Sequence, residues 1–383
     1  PAMRDQAVID SFYQTVDTFI RLLGPEQVSR SELFFRLSRA AIGANIDYSE
    51  LQRIVGRITS FGAWYEAWQQ SAGHFAHLAE QAEARGHPLT AGEHYLRAAL
   101  LYHFAQLFTR PEDPRRRTGQ QQRVVYYRRA CPYLVPPIEL VQIPYGELKI
   151  PGYLRLPIGH DRPRPVAIMI PGANSVKEEL HHWGETLIKR GLATLAVDGP
   201  GQGELSVRNG GVPLKLESYH QAVSAMIDYA AGRPELDATH LALWGQSTGG
   251  NLVLAAAGRD ARPKAVVSLG GGYDFRRKTA STAPADVREE ARDLYGLSSF
   301  AELASYVQAH GSLQGLIEKI QCPILLIHGG QDGLVAPEEI EEIRRAATAP
   351  VELLFYDDGN HSICNRNLEM SSAMADWLAD QLA

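Results

Sequence analysis

His240-Leu241-Ala242-Leu243-Trp244-Gly245-Gln246-Ser247-Thr248-Gly249-Gly250 is the stretch on which the reading of this chain turns. Leu241 to Trp244 is a short apolar run, Gly245 to Gly249 spells Gly-x-Ser-x-Gly, and Asn251 to Gly258 continues with helical composition. A buried strand, a sharp turn and a helix form the setting in which a serine is displayed as a nucleophile. So tight a turn leaves no room for large side chains at its ends. Gly245 and Gly249 therefore flank the apex, and Ser247 carries its Oγ outward. The helix that starts behind the serine aims backbone N–H groups and its positive dipole end at any negative charge developing there. Small residues in this order also occur where a strand and a helix merely pack closely. The strand before the pentapeptide and the helix after it separate the two readings.

A serine hydroxyl attacks only when a base takes its proton, and the base needs a carboxylate to orient it. Behind a strand–elbow–helix nucleophile the chain order is serine, acid, histidine. Downstream, Ile324-Leu325-Leu326-Ile327-His328-Gly329-Gly330-Gln331-Asp332 places Asp332 just past a buried strand. Asp357-Asp358-Gly359-Asn360-His361-Ser362 follows the last strand and places His361 on the neighbouring loop. Both loops lie at the carboxyl edge of the strands, where ligands gather in open α/β sheets. Asp357 and Asp358 are poorer candidates for the acid, because they stand so close in sequence to His361. The spacing therefore predicts Ser247, Asp332 and His361 as the catalytic set. An oxyanion hole requires two N–H groups. Thr248, directly after the nucleophile, is one expected donor. Ala173, in Pro171-Gly172-Ala173-Asn174 after the strand Val166–Ile170, is the other. Asn174, Tyr273 and Asp274 are expected to line the substrate pocket.

Other chemistries lack their residues. His181-His182 is adjacent rather than i, i+4, and reads as a solvated helix face, so no metal is expected. Gly199-Pro200-Gly201-Gln202-Gly203 lacks the Lys-Ser/Thr ending of a phosphate loop, and no cofactor is expected. The net charge of −6 argues against a nucleic-acid partner. No apolar run approaches the ~20 residues that span a bilayer, so no membrane partner is expected. Cys131, Cys322 and Cys364 form no Cys-x-x-Cys pair. Free thiols without a visible signal peptide suit the cytoplasm. The expected partner is a small-molecule substrate, and a homodimer is compatible with the chain.

At 383 residues, 45% hydrophobic and 21% charged, the chain has room for a large α/β domain and a smaller one. Residues 1–137 show helical periodicity: Ser31 to Ala41, Tyr48 to Gln70, Gly73 to Arg85 and Ala91 to Phe108. Thr90-Ala91-Gly92-Glu93 reads as a capping box. Pro111 to Gly119, with Arg115-Arg116-Arg117, reads as a surface linker. Phe61, Trp64, Tyr65 and Trp68 supply more apolar surface than a free helical unit needs, which predicts an enclosed pocket between that region and the sheet edge. From Ile138 the period changes. Ile138–Pro144 and Leu148–Pro157 read as a hairpin, and Lys177–Arg190 as the first helix of the α/β part. Val166–Ile170 and Ala193–Val197 read as buried strands, and Leu241–Trp244, Ala265–Leu269, Pro323–His328 and Val351–Tyr356 as the strands that follow, alternating with helices. That alternation implies a mostly parallel sheet with right-handed crossovers over 138–383. Strand-free helical sequence over about 273–319 interrupts it as a lid.

With these residues in hand, the chain resembles an α/β-hydrolase: a mostly parallel sheet with helices on both faces, a helical N-terminal domain and a helical lid. Pro171-Gly172-Ala173-Asn174-Ser175-Val176-Lys177-Glu178-Glu179 and Asp198-Gly199-Pro200-Gly201-Gln202-Gly203-Glu204 narrow the likeness. So do Ala40-Ala41-Ile42-Gly43 and Ala91-Gly92-Glu93-His94-Tyr95-Leu96-Arg97-Ala98. These segments resemble the group containing dihydroxypseudooxynicotine hydrolase and the fungal polyketide-shortening hydrolases. The resemblance implies cleavage of a C–C bond next to a ketone, releasing an acid and needing no cofactor; relatives act as esterases. The expected substrate is a small acyl-aromatic or polyketide-like molecule. A carboxylesterase or thioesterase, or an acyltransferase or cyclase, would use the same three residues. A degenerate, non-catalytic binding module is disfavoured by the complete set.

Overall fold

The computed structural model describes residues 2–23, 39–41, 43, 46–107, 109, 113–159, 162–278, 283 and 285–383. The expected helical positions Leu33, Phe34 and Leu37 lie outside these residues. The chain divides into two compact units, Gln6–Leu140 and Val141–Ala383, the latter with the first five residues.

The first unit is helical: α1 (Ala2–Leu23), α2 (Tyr48–Val55), α3 (Trp64–Ala84), α4 (Pro88–Ala105) and α5 (Pro114–Ala130). Trp64, Trp68 and Phe104 pack with ring centroids 5.4 and 6.0 Å apart, and the Trp64 indole donates to the Phe104 carbonyl at 3.0 Å. Glu83 accepts from the Tyr95 and Tyr133 hydroxyls, each at 2.8 Å, and from Arg129 at 2.7 Å.

Three local expectations change here. The run Tyr48–Gln70 is broken between Val55 and Trp64, so α3 begins before Gly73. The capping box does not form: Pro88 occupies the first turn of α4 and leaves Thr90 inside the helix. The Arg115–Arg117 run is helical rather than linker. Asp113 caps α5 through the Arg115 N–H at 2.9 Å, with Pro114 at the first helical position.

The second unit carries an eight-stranded sheet ordered β1-β2-β4-β3-β5-β6-β7-β8. Its strands are β1 (Ile138–Tyr145), β2 (Leu148–Arg155), β3 (Arg164–Ile170), β4 (Ala193–Val197), β5 (Leu236–Gln246), β6 (Ala265–Leu269), β7 (Ile324–Gly329) and β8 (Val351–Tyr356). β2 runs antiparallel to β4, and all pairings from β4 through β8 are parallel. The helices are α6 (His181–Ile188), α7 (Tyr219–Ala231), α8 (Thr248–Ala257), α9 (Phe275–Lys278), α10 (Ala285–Leu294), α11 (Phe300–His310), α12 (Pro337–Ala346) and α13 (Asn367–Gln381).

Alternate residues of the central strands enter two separate cores. Val166, Ile168 and Ile170 join α7, α8 and α12 on one face, while Ala167 and Met169 join α6 and α13 on the other. Burial on both faces is why these strands read as continuous apolar runs. Each such leucine or isoleucine contributes roughly 1.5–3 kcal/mol by leaving water.

The helix expected over Lys177–Arg190 begins only at His181. Lys177 and Glu178 serve instead in a buried ionic cluster, and Lys177 N–H donates to Asp198 Oδ1 at 2.8 Å. His181 is not a solvated residue. It is buried, its Nε2 lies 3.4 Å from Glu185 Oε1, and burial aided by Arg155 lowers its pKa to about 4. Among the described residues of the lid stretch the regular elements are helices, with one isolated bridge, Asp274 to Ser312. Among the described residues no helix is long and apolar enough to cross a membrane.

Candidate active site

Ser247 stands between β5 and α8 with φ +53° and ψ −119°, in the left-handed half of backbone space that few non-glycine residues occupy. The elbow is locked by close approach. A Cβ at Gly245 would stand 2.1 Å from the Gly249 carbonyl oxygen, and one at Gly249 would stand 2.2 Å from the Ile170 carbonyl. Ser247 N–H donates to Leu269 O at 2.7 Å, which ties the apex to β6. Strain of this kind, held by its surroundings, gathers at functional sites.

The loops after β7 and β8 bring the two other predicted residues to this apex. His361 Nε2 lies 2.8 Å from Ser247 Oγ, and His361 Nδ1 lies 2.8 Å from Asp332 Oδ2. Asp332 Oδ1 accepts from the Leu334 and Val335 N–H groups at 2.8 and 3.0 Å. Burial raises the Asp332 pKa, but the His361 imidazole and the backbone donor outweigh it, so the carboxyl is held below its usual range. An ionised carboxylate only accepts. Nδ1 therefore carries the proton, and Nε2 faces the serine hydroxyl as an acceptor. Ser247 is partly exposed, whereas the Asp332 and His361 side chains are buried.

The loop after β3 passes against the nucleophile: a Cβ on Gly172 would lie 3.2 Å from Ser247 Cβ. Ala173 follows it, half-buried. Thr248 opens α8, so its N–H is among those without a partner inside the helix. Of the expected pocket residues, Asn174 donates from Nδ2 to both Glu290 carboxylate oxygens at 3.0 Å, which joins this loop to α10. Tyr273 is half-buried, and its N–H and that of Asp274 donate to Glu339 at 2.9 and 3.0 Å. The Asp274 carboxylate is taken up by Arg276, through the backbone N–H at 2.9 Å and the guanidinium.

The model of the esterase FrsA-like family matches residues 12–275, and that of the prolyl oligopeptidase family matches residues 180–383. The chain is 30% identical to 2,6-dihydropseudooxynicotine hydrolase of Paenarthrobacter nicotinovorans, over 83% of this chain and 84% of that protein. The chain belongs to the α/β-hydrolases. This hydrolase is also 33% identical to 20-hydroxy-prefusarin hydrolase of Gibberella moniliformis, over 66% of its own length and 62% of the relative's. The crystal structure of the 2,6-dihydroxy-pseudo-oxynicotine hydrolase superposes on it with a TM-score of 0.82 at 29% identity, covering 90% of this chain and 95% of that one. The chain is thus a hydrolase.

Several groups around the site escaped the sequence reading. Glu178, Asp198 and Glu204 bring carboxylate oxygens within 4.8 Å of one another, a set that could hold a cation. In this hydrolase the Lys177 ammonium lies among them, at 2.9, 2.7 and 2.7 Å. Gln246 Nε2 donates to Ser362 Oγ at 3.2 Å, joining the elbow to the histidine loop. That loop turns through positive φ at both Ser362 and Ile363. A β-branched residue at positive φ gives no sequence signal.

Proposed function

We infer that this enzyme is a serine hydrolase that cleaves the bond between a carbonyl carbon and its neighbour in a small acyl-aromatic or polyketide-like molecule. The observation that carries the reading is the unbroken chain Ser247 Oγ, His361 Nε2, His361 Nδ1, Asp332 Oδ2, with both contacts at 2.8 Å. His361 Nε2 takes the Ser247 proton as Oγ bonds to the carbonyl carbon. The carbonyl π electrons move to oxygen, and the N–H groups of Ala173 and Thr248 stabilise the resulting oxyanion. As the tetrahedral intermediate collapses, the bond to the leaving group breaks. That group departs with its electron pair and takes the proton from His361. Water then attacks the acyl-enzyme, with His361 accepting its proton. Ser247 leaves with that proton and the acid is released. Asp332 stays ionised throughout and steadies the imidazolium.

The names of the two relatives point to small organic substrates rather than to polymers. C–C cleavage of an acyl-aromatic or β-diketone is the first reading, and a C–C and an ester bond can use the same nucleophile and hole. A carboxylesterase is the second reading, favoured by the match to the FrsA-like esterase model. The test is product analysis by mass spectrometry on aryl ketones, β-diketones and aryl esters in ¹⁸O-labelled water. C–C cleavage yields one labelled acid and an unoxidised fragment from the ketones. Turnover confined to esters selects the second reading, and a product without label shows acyl transfer or cyclisation.

A further inference from the structure

The segment Asp198-Gly199-Pro200-Gly201-Gln202-Gly203-Glu204 has no part in the chemistry above, yet it grips the oxyanion loop at both ends. At the near end, the buried Gln202 side chain donates from Nε2 to the Pro171 carbonyl at 2.6 Å. Its Oε1 accepts from the Tyr219 hydroxyl at 2.6 Å and from Gly199 N–H at 3.3 Å. At the far end, Lys177 N–H and Nζ both donate to Asp198, at 2.8 and 2.7 Å. Glu204 N–H closes back on Asp198 Oδ2 at 3.0 Å. Gly203 makes the fold-back feasible, because a Cβ there would stand 2.0 Å from Asp198 Oδ2.

Ala173 lies between these two anchors. The Pro171 carbonyl is wedged, since it would stand 2.7 Å from a Cβ on Gly249 on one side and meets Gln202 Nε2 on the other. Its direction sets the peptide plane that precedes Gly172. Gly172 has no side chain to resist rotation, so the next plane, the one carrying the Ala173 N–H, is held from one side by that anchor and from the other by Ser175 N–H, which donates to the Gly172 carbonyl at 3.3 Å. The orientation of the Gln202 amide is also determined. Tyr219 is buried, which keeps its hydroxyl protonated and donating. The Pro171 carbonyl can only accept and Gly199 N–H can only donate, so Nε2 must face Pro171 and Oε1 faces Gly199 and the Tyr219 hydroxyl.

We propose that Gln202 is a positioning residue for the oxyanion hole, holding the Ala173 N–H on the developing oxyanion through the Pro171 carbonyl, with the Tyr219 hydroxyl donating to its amide oxygen. The proposal rests on the reading of Ser247 as nucleophile. The test compares wild type with Gln202→Met, which keeps length and loses the hydrogen bonds, and with Tyr219→Phe. Aryl-ester kcat and KM are measured with the inhibition constant of an aryl trifluoromethyl ketone, whose hemiketal adduct on serine presents an oxyanion to the hole. A fluorophosphonate titration counts active sites.

Loss of one oxyanion donor costs about 10²–10³ in kcat, and a misdirected donor less. For Gln202→Met we expect kcat about 10–100-fold lower, KM within about twofold, and the inhibition constant raised by the factor by which kcat falls. Tyr219→Phe shifts both in the same direction by a smaller factor. A folded, fully titrating Gln202→Met with wild-type kcat and inhibition overturns the proposal, as does a rise in KM with unchanged inhibition. If Gln202→Met does not fold, wild-type values in Tyr219→Phe overturn it. Failure of the Ser247 reading looks different: the wild type itself would resist both the ketone and the fluorophosphonate.

Discussion

Replacing Asp332 by asparagine changes one atom, and the structure states which way the new group must face. The Leu334 and Val335 N–H groups both point at Oδ1, 2.8 and 3.0 Å away. They require an oxygen there, so the oxygen of the introduced carboxamide takes that place and its NH₂ turns to His361. An NH₂ can only donate. His361 Nδ1 then becomes the acceptor, the ring proton moves to Nε2, and Nε2 can no longer take the proton of Ser247. The fold keeps its hydrogen bonds while the base is in the wrong tautomer. The expected loss in kcat is about 10³–10⁴, or roughly 4–5.5 kcal/mol at 1.36 kcal/mol per decade, with KM within a few-fold. Steady-state kinetics on an aryl ester, with ¹⁵N chemical shifts of the His361 ring, measure both halves of the argument. Asp358 is held by Arg366 at 2.6 and 3.0 Å, so Asp358→Asn should leave kcat within about twofold. A kcat for Asp332→Asn within tenfold of wild type, or equal damage from Asp358→Asn, would refute the reasoning.

Two further outcomes follow from the packing. Gly245→Ala puts a Cβ 2.1 Å from the Gly249 carbonyl, so the elbow must open. Its kcat should fall at least about 100-fold with a lowered melting temperature, measured by kinetics and calorimetry; wild-type values for both would contradict the elbow geometry. His181 titrates at about 4 when folded and near 6.5 when unfolded, so the unfolded state binds more protons between those values. Its share of the stability is complete above about pH 6.5 and falls by about 3 kcal/mol as the pH drops through about 4. Urea unfolding at pH 7 and pH 4 should show that loss in the wild type and not in His181→Phe, and equal losses in both would show that His181 is not the group responsible.

The catalytic set is legible because each member follows a strand of the parallel sheet, two of them buried on both faces and the last, at the sheet edge, only partly buried. Ile324–Ile327 and Val351–Tyr356 announce their strands by composition, and the residue just past each is carried to the same sheet edge by parallel pairing. Gln202 is not legible in this way. Its role depends on a contact with Pro171, which is 31 residues distant and comes from a different strand. Lys177 to Glu179 read as helix because apolar and charged residues alternate at helical spacing. The buried ammonium of Lys177 holds that stretch in turns, since its three carboxylate partners come from the next residue and the following loop. The N-terminal helices are less legible for local reasons. Gly73 reads as a boundary although α3 accommodates it, and Thr90 reads as a cap although Pro88 starts the helix two residues earlier. Asn174 stands on the oxyanion loop by its place in the sequence, but its partner Glu290 lies 116 residues away on a lid helix.

The central claim is that Ser247 is the nucleophile. The most direct measurement treats the enzyme with one equivalent of a fluorophosphonate and follows residual ester turnover, with peptide mass spectrometry locating the adduct. The account predicts one phosphonyl group per chain on the peptide containing Ser247, activity lost in proportion to labelling, and neither labelling nor turnover in Ser247→Ala. A folded Ser247→Ala that still turns over substrate at a rate near wild type, or stoichiometric inactivation with the adduct on another residue, would contradict it.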